Sequence, residues 1–376
     1  MPPSECSRTI SAQFRARPPS LGFDFDGWRP KVGPSVRPME RVFVIGLGAV
    51  SPAGWSAESL DSCLAGRPPF GGEVSCPDRS RAISVRKVPP PAVRPPLFAQ
   101  PRLRRASPVT QYGVAAAFEA LAHGQWTRGS NPPLGLVFSV MSGSVVYSRR
   151  FFEEVLQNPA TASPLLFPET VFNAPASHVS ACAASTGPNY TLVGDAGMFL
   201  QSLAIAGGWI RDGLARSVLV VGSEESDWTS AGALTRFAAA AVPSEGAGAL
   251  LLSADRAHAK AELVGVTRPR SFSTRAARRS AAQGIADAIH AWDDKAAWFD
   301  GWSGEPPDPA DIRGVHLTAS LGDGLGAAGA WTCVAACSAI ARADVAAAGV
   351  RIVGANQQAI GAMFAAPDAG AQNPSR

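Results

Sequence analysis

Short apolar runs alternate with segments of helical spacing along most of the chain. Val42–Ile45 is an apolar run closed by a Gly-Leu-Gly turn, which is typical of a buried strand. This alternation of buried strands with helices predicts an α/β fold, with a parallel α/β unit that begins at Val42–Ile45. Further strands are predicted at Leu134–Val140, Val218–Val221 and Gly246–Leu252, and helices at Ser56–Leu64, Val109–His123, Phe151–Leu156, Asn173–Ala184, Ala276–Trp292 and Ala327–Ala341.

The middle of the chain carries a strand, a sharp turn, an apolar helix and a second strand. Tyr190–Val193 is the strand, Gly194–Gly197 the turn, and Met198–Asp212 the helix, which Val218–Val221 follows. This order is typical of a nucleophile elbow, in which the turn residue is held at the positive end of a helix. The side chain at this turn therefore decides which chemistry is open to the protein.

Two segments interrupt the alternation. Residues 1–38 are rich in Pro, Arg and Ser, show no period and lack a secretory signal, so they are either a disordered leader or precede the true start at Met39. Residues 67–108 are so rich in Pro and Arg that we predict a surface excursion without regular structure.

Composition narrows the class of protein. With 46% hydrophobic and 17% charged residues among 376, the chain is a folded protein and neither disordered nor fibrous. The net charge of +4 is spread along the chain and does not indicate nucleic-acid binding. Six cysteines without a CxxC pair predict reduced thiols, no metal site and a cytoplasmic location. No apolar run predicts a membrane span, and no cofactor is predicted.

Five motifs in the right order resemble those of the β-ketoacyl synthases of the thiolase superfamily. One of them, GPNY, leads into the strand before the elbow turn, and another, EGAG, opens the predicted strand Gly246–Leu252. The resemblance implies a thiolase-like, five-layered αβαβα fold built from two similar halves, 39–253 and a shortened 254–376. The five are VIGLGAVSP at 44–52, SHVS with GPNY at 177–180 and 187–190, SEGAGA at 244–249, GAAGA at 326–330 and GAN at 354–356.

In that family a cysteine at the elbow takes the acyl chain as a thioester, and two histidines assist decarboxylation. The family spacing puts the nucleophile position at Ala196 and the second histidine position at Asp323. The first histidine position falls at Asp300, on a looser anchor, while His290 and His316 lie outside the motif context. The resemblance therefore implies that all three catalytic groups are replaced.

One alternative nucleophile is Cys182, whose neighbours resemble the ACASG text around the family cysteine. However, Cys182 precedes the GPNY motif and lies about 40 residues before the next strand, where an elbow would leave about 25. The spacing favours Ala196, and Cys182 stays the alternative.

Loss of the catalytic groups with retention of the scaffold resembles the chain-length factors, the inactive partners of certain ketosynthases. This implies a noncatalytic subunit that pairs with an active ketosynthase, or with itself, in fatty-acid-like or polyketide (polyene-type) synthesis. The alternative is an active synthase or acyltransferase that uses Cys182, or an Asp300 and Asp323 pair if the two carboxylates lie close together.

The resemblance also indicates candidate binding residues. Because acyl carrier proteins are acidic, the candidate docking residues are Arg102, Arg104, Arg105, Arg149 and Arg150. The candidate residues for lining an acyl tunnel are Phe138, Met141, Phe151, Phe152, Phe167 and Phe172.

Overall fold

The computed structural model describes residues 41–75, 77, 82–127, 133–305, 307–355 and 357–367. The leader 1–38, Met39 and Asn356 of the GAN motif lie outside the described residues. The strands are β1 Phe43–Val50, β2 Gly71–Val74, β3 Ile83–Arg86, β4 Leu134–Val140, β5 Asn189–Val193, β6 Ser217–Glu224, β7 Gly246–Ser253, β8 Ala261–Val266, β9 Arg270–Ser271, β10 Ala297–Trp302, β11 Val315–His316, β12 Ala347–Val353 and β13 Gln358–Ala365. The helices are α1 Ala57–Leu64, α2 Pro108–His123, α3 Val145–Gln157, α4 Ala174–Ala183, α5 Met198–Arg211, α6 Trp228–Phe237, α7 Arg275–His290, α8 Leu317–Leu321 and α9 Gly326–Ala341.

The two halves of the chain share the same pattern of strand pairing. In the first half, β4 pairs in parallel with β5 and β6, β6 pairs antiparallel with β7, and β7 pairs antiparallel with β1. In the second half, β10 pairs in parallel with β11 and β12, β12 antiparallel with β13, and β13 antiparallel with β8. The halves join where β1 pairs with β8, giving the order β11-β10-β12-β13-β8-β1-β7-β6-β4-β5, with β9 beside β13. The predicted boundary at 253/254 falls in the connection between β7 and β8.

The helices complete five layers. Helix α2 packs on β1, β6 and β7, and α7 packs on β12 and β13. Helices α5 and α9 pack on each other, and α9 contacts strands of both halves. Every residue of α9 from Gly326 to Ile340 is buried, which explains why this helix is built of Ala, Gly and Cys and has no polar face. The predicted α/β class and thiolase-like layering are confirmed. The prediction that the first strand opens a parallel unit is wrong, because β1 pairs antiparallel with both β7 and β8.

The segment 67–108 differs from its prediction. It contains the antiparallel pair β2 and β3 and two short 3₁₀ turns. Ile83 and Val85 alternate with more exposed residues and bury their side chains against α6, so a local two-residue period exists within the Pro-rich text. Among the described residues, no helix has the length and apolar character needed to cross a bilayer.

Candidate functional site

The turn between β5 and α5 brings Ala196 to the base of the central helix layer. Ala196 is 1% exposed, and its methyl group belongs to the main hydrophobic core. Helix α9 approaches this turn closely: a Cβ added to Gly329 would lie 2.3 Å from the Ala196 carbonyl oxygen. The GAAGA motif therefore has a packing role, since a glycine is needed where α9 meets the elbow.

The elbow is fixed by the carboxylate of Asp195. Its Oδ1 accepts a hydrogen bond from the Gly197 backbone N–H at 3.1 Å and one from Gln358 Nε2 at 3.3 Å. Gly354 lies so near that a Cβ there would come within 1.7 Å of Asp195 Oδ2. Burial raises the pKa of Asp195, and these hydrogen bonds oppose the shift. The turn thus keeps a rigid geometry while its central residue offers no nucleophile.

Asp323 lies at the turn before α9, in the second half, and is 1% exposed. Its carboxylate accepts hydrogen bonds from Ser303 Oγ at 3.0 Å to each oxygen, from the Gly304 N–H at 2.5 Å and from the Leu325 N–H at 3.0 Å. Leu325 has a φ of +47°, a conformation that the bond from its N–H to Asp323 helps to hold. Burial raises the pKa of Asp323, while its neutral donors and the nearby charge of Arg278 lower it.

Arg278 connects the loops around this turn. From α7 its guanidinium donates to the carbonyl oxygens of Gly354 at 3.0 Å, Glu305 at 3.0 Å and Ser303 at 2.5 Å. The guanidinium also lies 5.1 Å from the ring centre of Trp302. Burial lowers the pKa of Arg278, and the charge of Asp323 opposes that shift. One buried cation therefore ties the end of β10 to the loop that contacts the elbow.

Asp300 and Asp323 have different hydrogen-bond partners. Asp300 lies inside β10, and both of its oxygens pair with Arg351 of the adjacent strand β12, at 2.9 Å from Nε and 2.6 Å from Nη2. Its Oδ2 also accepts from the Arg313 N–H at 2.6 Å. The residue near the end of β10 that contacts Asp323 is Ser303, three positions further along, so the two aspartates share no hydrogen bond. These separate partners give no support to the predicted Asp300 and Asp323 acid/base pair.

Cys182 lies inside α4 and not at the elbow turn. It is 4% exposed, and its Sγ contacts Gln100 Oε1 at 3.3 Å. The free cysteines of the described residues, Cys63, Cys182, Cys333 and Cys337, are all buried. Burial raises the pKa of the Cys337 thiol out of the physiological range, as expected for core thiols.

The candidate docking arginines divide into two groups. Arg149 donates to Asp227 at 2.6 Å and to Glu153 at 2.8 Å, and Arg150 donates to Glu154 at 3.3 Å. Arg102, Arg104 and Arg105 are exposed. Two of the five come together, because Arg105 and Arg150 line one cavity of about 250 Å³.

The candidate tunnel aromatics do not form one lining. Phe138 is fully buried against Gly113, whereas Phe152 and Phe167 are more than half exposed. Phe151 and Phe167 contact each other with ring centres 5.7 Å apart, and Phe172 packs against Gly143. Most of these side chains thus lie on the surface around α3, and Met141 is half-buried.

Sequence reasoning missed the residues that hold the site together. Ser303 follows a tryptophan in an irregular segment, Arg278 belongs to an arginine-rich run that reads as surface, and Gln358 replaces a Gly/Phe-rich turn. A Ser-Gly pair directly after a buried strand was the one available signal for Ser303. Among the described residues, no three His, Cys, Asp or Glu side chains are grouped so as to hold a metal ion.

Comparisons with known proteins agree with this geometry. A family model described as "Beta-ketoacyl synthase, N-terminal domain" matches residues 39–258. No curated protein sequence matches. The ishigamide ketosynthase/chain length factor superposes with a TM-score of 0.71 at 18% identity, covering 87% of this chain and 99% of that chain. A type II polyketide ketosynthase in complex with its acyl-carrier protein (AntDE:AntF) gives 0.70 at 16%, covering 87% and 99%, and a β-ketoacyl synthase from Burkholderia phymatum STM815 gives 0.70 at 18%, covering 87% and 100%. Because the family model covers more than half of the chain, this chain belongs to the β-ketoacyl synthase family.

Proposed function

We propose that the chain is a noncatalytic ketosynthase subunit of the chain-length-factor type, which partners an active β-ketoacyl synthase in fatty-acid-like or polyketide synthesis. The observation that carries the proposal is that buried Ala196 lies in the turn between β5 and α5, the turn to which the family spacing assigns the nucleophile, and an alanine methyl cannot form a thioester. We place the protein in the cytoplasm, consistent with its buried free thiols.

The two histidine positions support the same proposal. We assign the second one to Asp323, because its distance to the GAAGA motif has no gap. We assign the first to Ser303 and no longer to Asp300, because Ser303 follows β10 directly and contacts Asp323. A carboxylate and a hydroxyl at these positions cannot stabilise a developing enolate as two histidines would, and a buried carboxylate opposes negative charge nearby.

The free edge of β5 supports assembly with a second subunit. Strand β5 ends the described sheet, pairing with β4 on one side. Its Tyr190 and Val193 are 55% and 50% exposed, and Tyr190 packs on Trp209 of α5 with ring centres 5.1 Å apart. An exposed apolar edge strand offers unpaired N–H and C=O groups to a partner strand. We propose that an active ketosynthase pairs here, with a second copy of this chain as the alternative.

We propose that an acyl carrier protein docks on the first half of the chain. Arg105 and Arg150 at their shared cavity are the members of the original set best placed to contact an acidic carrier protein. Arg149 is engaged by two carboxylates within the chain and is better suited to holding α3 in place.

The test is the intact mass of the purified protein, alone and with a co-expressed ketosynthase, after incubation with acyl- and malonyl-carrier protein. We expect acylation of the ketosynthase and no adduct on this chain. An adduct on this chain that disappears in Cys182→Ala and persists in Cys63→Ala would overturn the proposal in favour of an active enzyme.

Light scattering tests whether the chain assembles with a ketosynthase through β5. Val193→Arg should prevent formation of the complex. Val93→Arg is the control, because Val93 is 81% exposed and lies outside β5, and this variant should still form the complex.

A further inference from the structure

A cavity of about 290 Å³ lies beside Asp323, on the wall formed by β3, the segment 240–242 and α8. Its volume is near the lower end of the range for small-molecule sites, and about ten times the volume of one water molecule in the liquid. It belongs to neither the elbow nor the free edge of β5.

Three side chains of this wall carry buried polar atoms without a hydrogen-bond partner. These atoms are Trp302 Nε1, His316 Nε2 and Thr318 Oγ1. Trp302 is 4% exposed, and its indole N–H can act only as a donor. Because buried polar groups in native proteins are rarely left unsatisfied, three on one cavity indicate a missing partner with acceptor atoms.

The charge on the wall has the sign that suits an anion. Arg86 of β3 lines the cavity, and among the described residues its guanidinium forms no ion pair with an acid. The acid among the described lining residues is Asp323, whose oxygens already accept from Ser303 Oγ and from the Gly304 and Leu325 N–H groups. One unpaired guanidinium with neutral donors around it matches a single carboxylate.

The remainder of the wall is apolar. Ala240, Ala241, Val242 and Ile312 contribute alkyl surface. We propose that the cavity binds a short-chain alkyl monocarboxylate, with its carboxylate toward Arg86 and the unpartnered donors and its alkyl chain against these residues. The proposal is independent of whether the chain has a ketosynthase partner.

The experiment is calorimetric titration of the full chain with acetate, propionate and butyrate at constant ionic strength, with propionamide as the uncharged isostere. We expect saturable one-to-one binding of propionate and none of propionamide. Affinity should rise by up to about fourfold for each added methylene, because each buries more apolar surface. Arg86→Gln should weaken propionate binding about tenfold or more, through loss of a charge-assisted bond.

Arg94→Gln is the matched control, since Arg94 is an exposed arginine that does not line the cavity. Thr318→Val, which keeps the side-chain shape, tests the site independently if Arg86→Gln should misfold, and it too should weaken propionate binding. Absence of saturable binding by all three carboxylates would show that the cavity holds water only. Equal binding by Arg86→Gln and Arg94→Gln would place the carboxylate elsewhere, and either result overturns the proposal.

Discussion

Asp300 and Asp323 are two fully buried aspartates in the same half of the fold, yet their environments are opposite. Asp300 pairs through both oxygens with Arg351, and that arginine is itself 2% exposed. Asp323 receives its hydrogen bonds from a hydroxyl and two backbone N–H groups, and burial raises its pKa. The first is a closed ion pair between neighbouring strands, whereas the second is a carboxylate kept by neutral donors at a turn.

The difference in hydrogen-bond partners separates a carboxylate that links two strands from one that holds a turn. An ion pair on adjacent strands stabilises the register of β10 against β12 and needs no access to the elbow. The Asp323 carboxylate at the turn before α9 instead receives its hydrogen bonds from loop and turn residues, at a position that we propose corresponds to a histidine of the family. The residue type alone therefore does not reveal the role of a buried aspartate; its donors do.

Breaking the ion pair should have the largest effect. Arg351→Met leaves Asp300 buried without its countercharge, so we expect the free energy of unfolding to fall by about 3–5 kcal/mol. Urea denaturation measures this as a lower midpoint with an unchanged slope. In the double variant Asp300→Asn/Arg351→Met the uncompensated charge is gone, and roughly half of the loss should be recovered. A midpoint for Arg351→Met equal to that of the wild type would show that the pair contributes nothing to stability.

Neutralising Asp323 should have a smaller effect that depends on pH. Since folding raises the pKa of Asp323, the folded state binds the proton more tightly than the unfolded state, and stability falls as the pH rises through this range. Asp323→Asn should reduce the fall in the free energy of unfolding that begins at about pH 4, the pKa of an aspartate in the unfolded chain, and continues through the raised pKa of the folded state.

Part of this slope should remain in Asp323→Asn. Burial also raises the pKa values of Glu119, Glu224 and Glu225 to about 7. Ionisation of these three groups therefore also lowers the free energy of unfolding as the pH rises. An unchanged slope in Asp323→Asn, measured by denaturation across the pH range, would contradict the raised pKa.

Some features of the candidate site could be predicted from the sequence and others could not. The elbow could be predicted because its signals are local: apolar strand text, glycines on both sides of the turn and an apolar helix after it. The prediction for Asp323 depends on its distance to the GAAGA motif, which has no gap. The contact between Ser303 and Asp323 could not be predicted, because it depends on where β10 ends, and Ser303 lies three residues beyond Asp300 and just outside the strand. Arg351 lies 51 residues from its partner Asp300 and is matched to it only by the pairing of β10 with β12.

The smallest expected effect, from Ser303→Ala, sharpens the comparison most. Loss of one neutral hydrogen bond should cost about 1 kcal/mol of unfolding free energy. Because the Ser303 bond lowers the pKa of Asp323, its removal should raise that pKa further, which carbon-detected NMR titration of the Asp323 carboxyl would measure. Ser338→Ala removes a comparable serine-to-aspartate bond, to Asp61, and should leave the Asp323 titration unchanged. If the Asp323 titration is the same in Ser303→Ala and the wild type, the contact between Ser303 and Asp323 does not set the charge at this turn, and our assignment of Ser303 to the first histidine position loses its support.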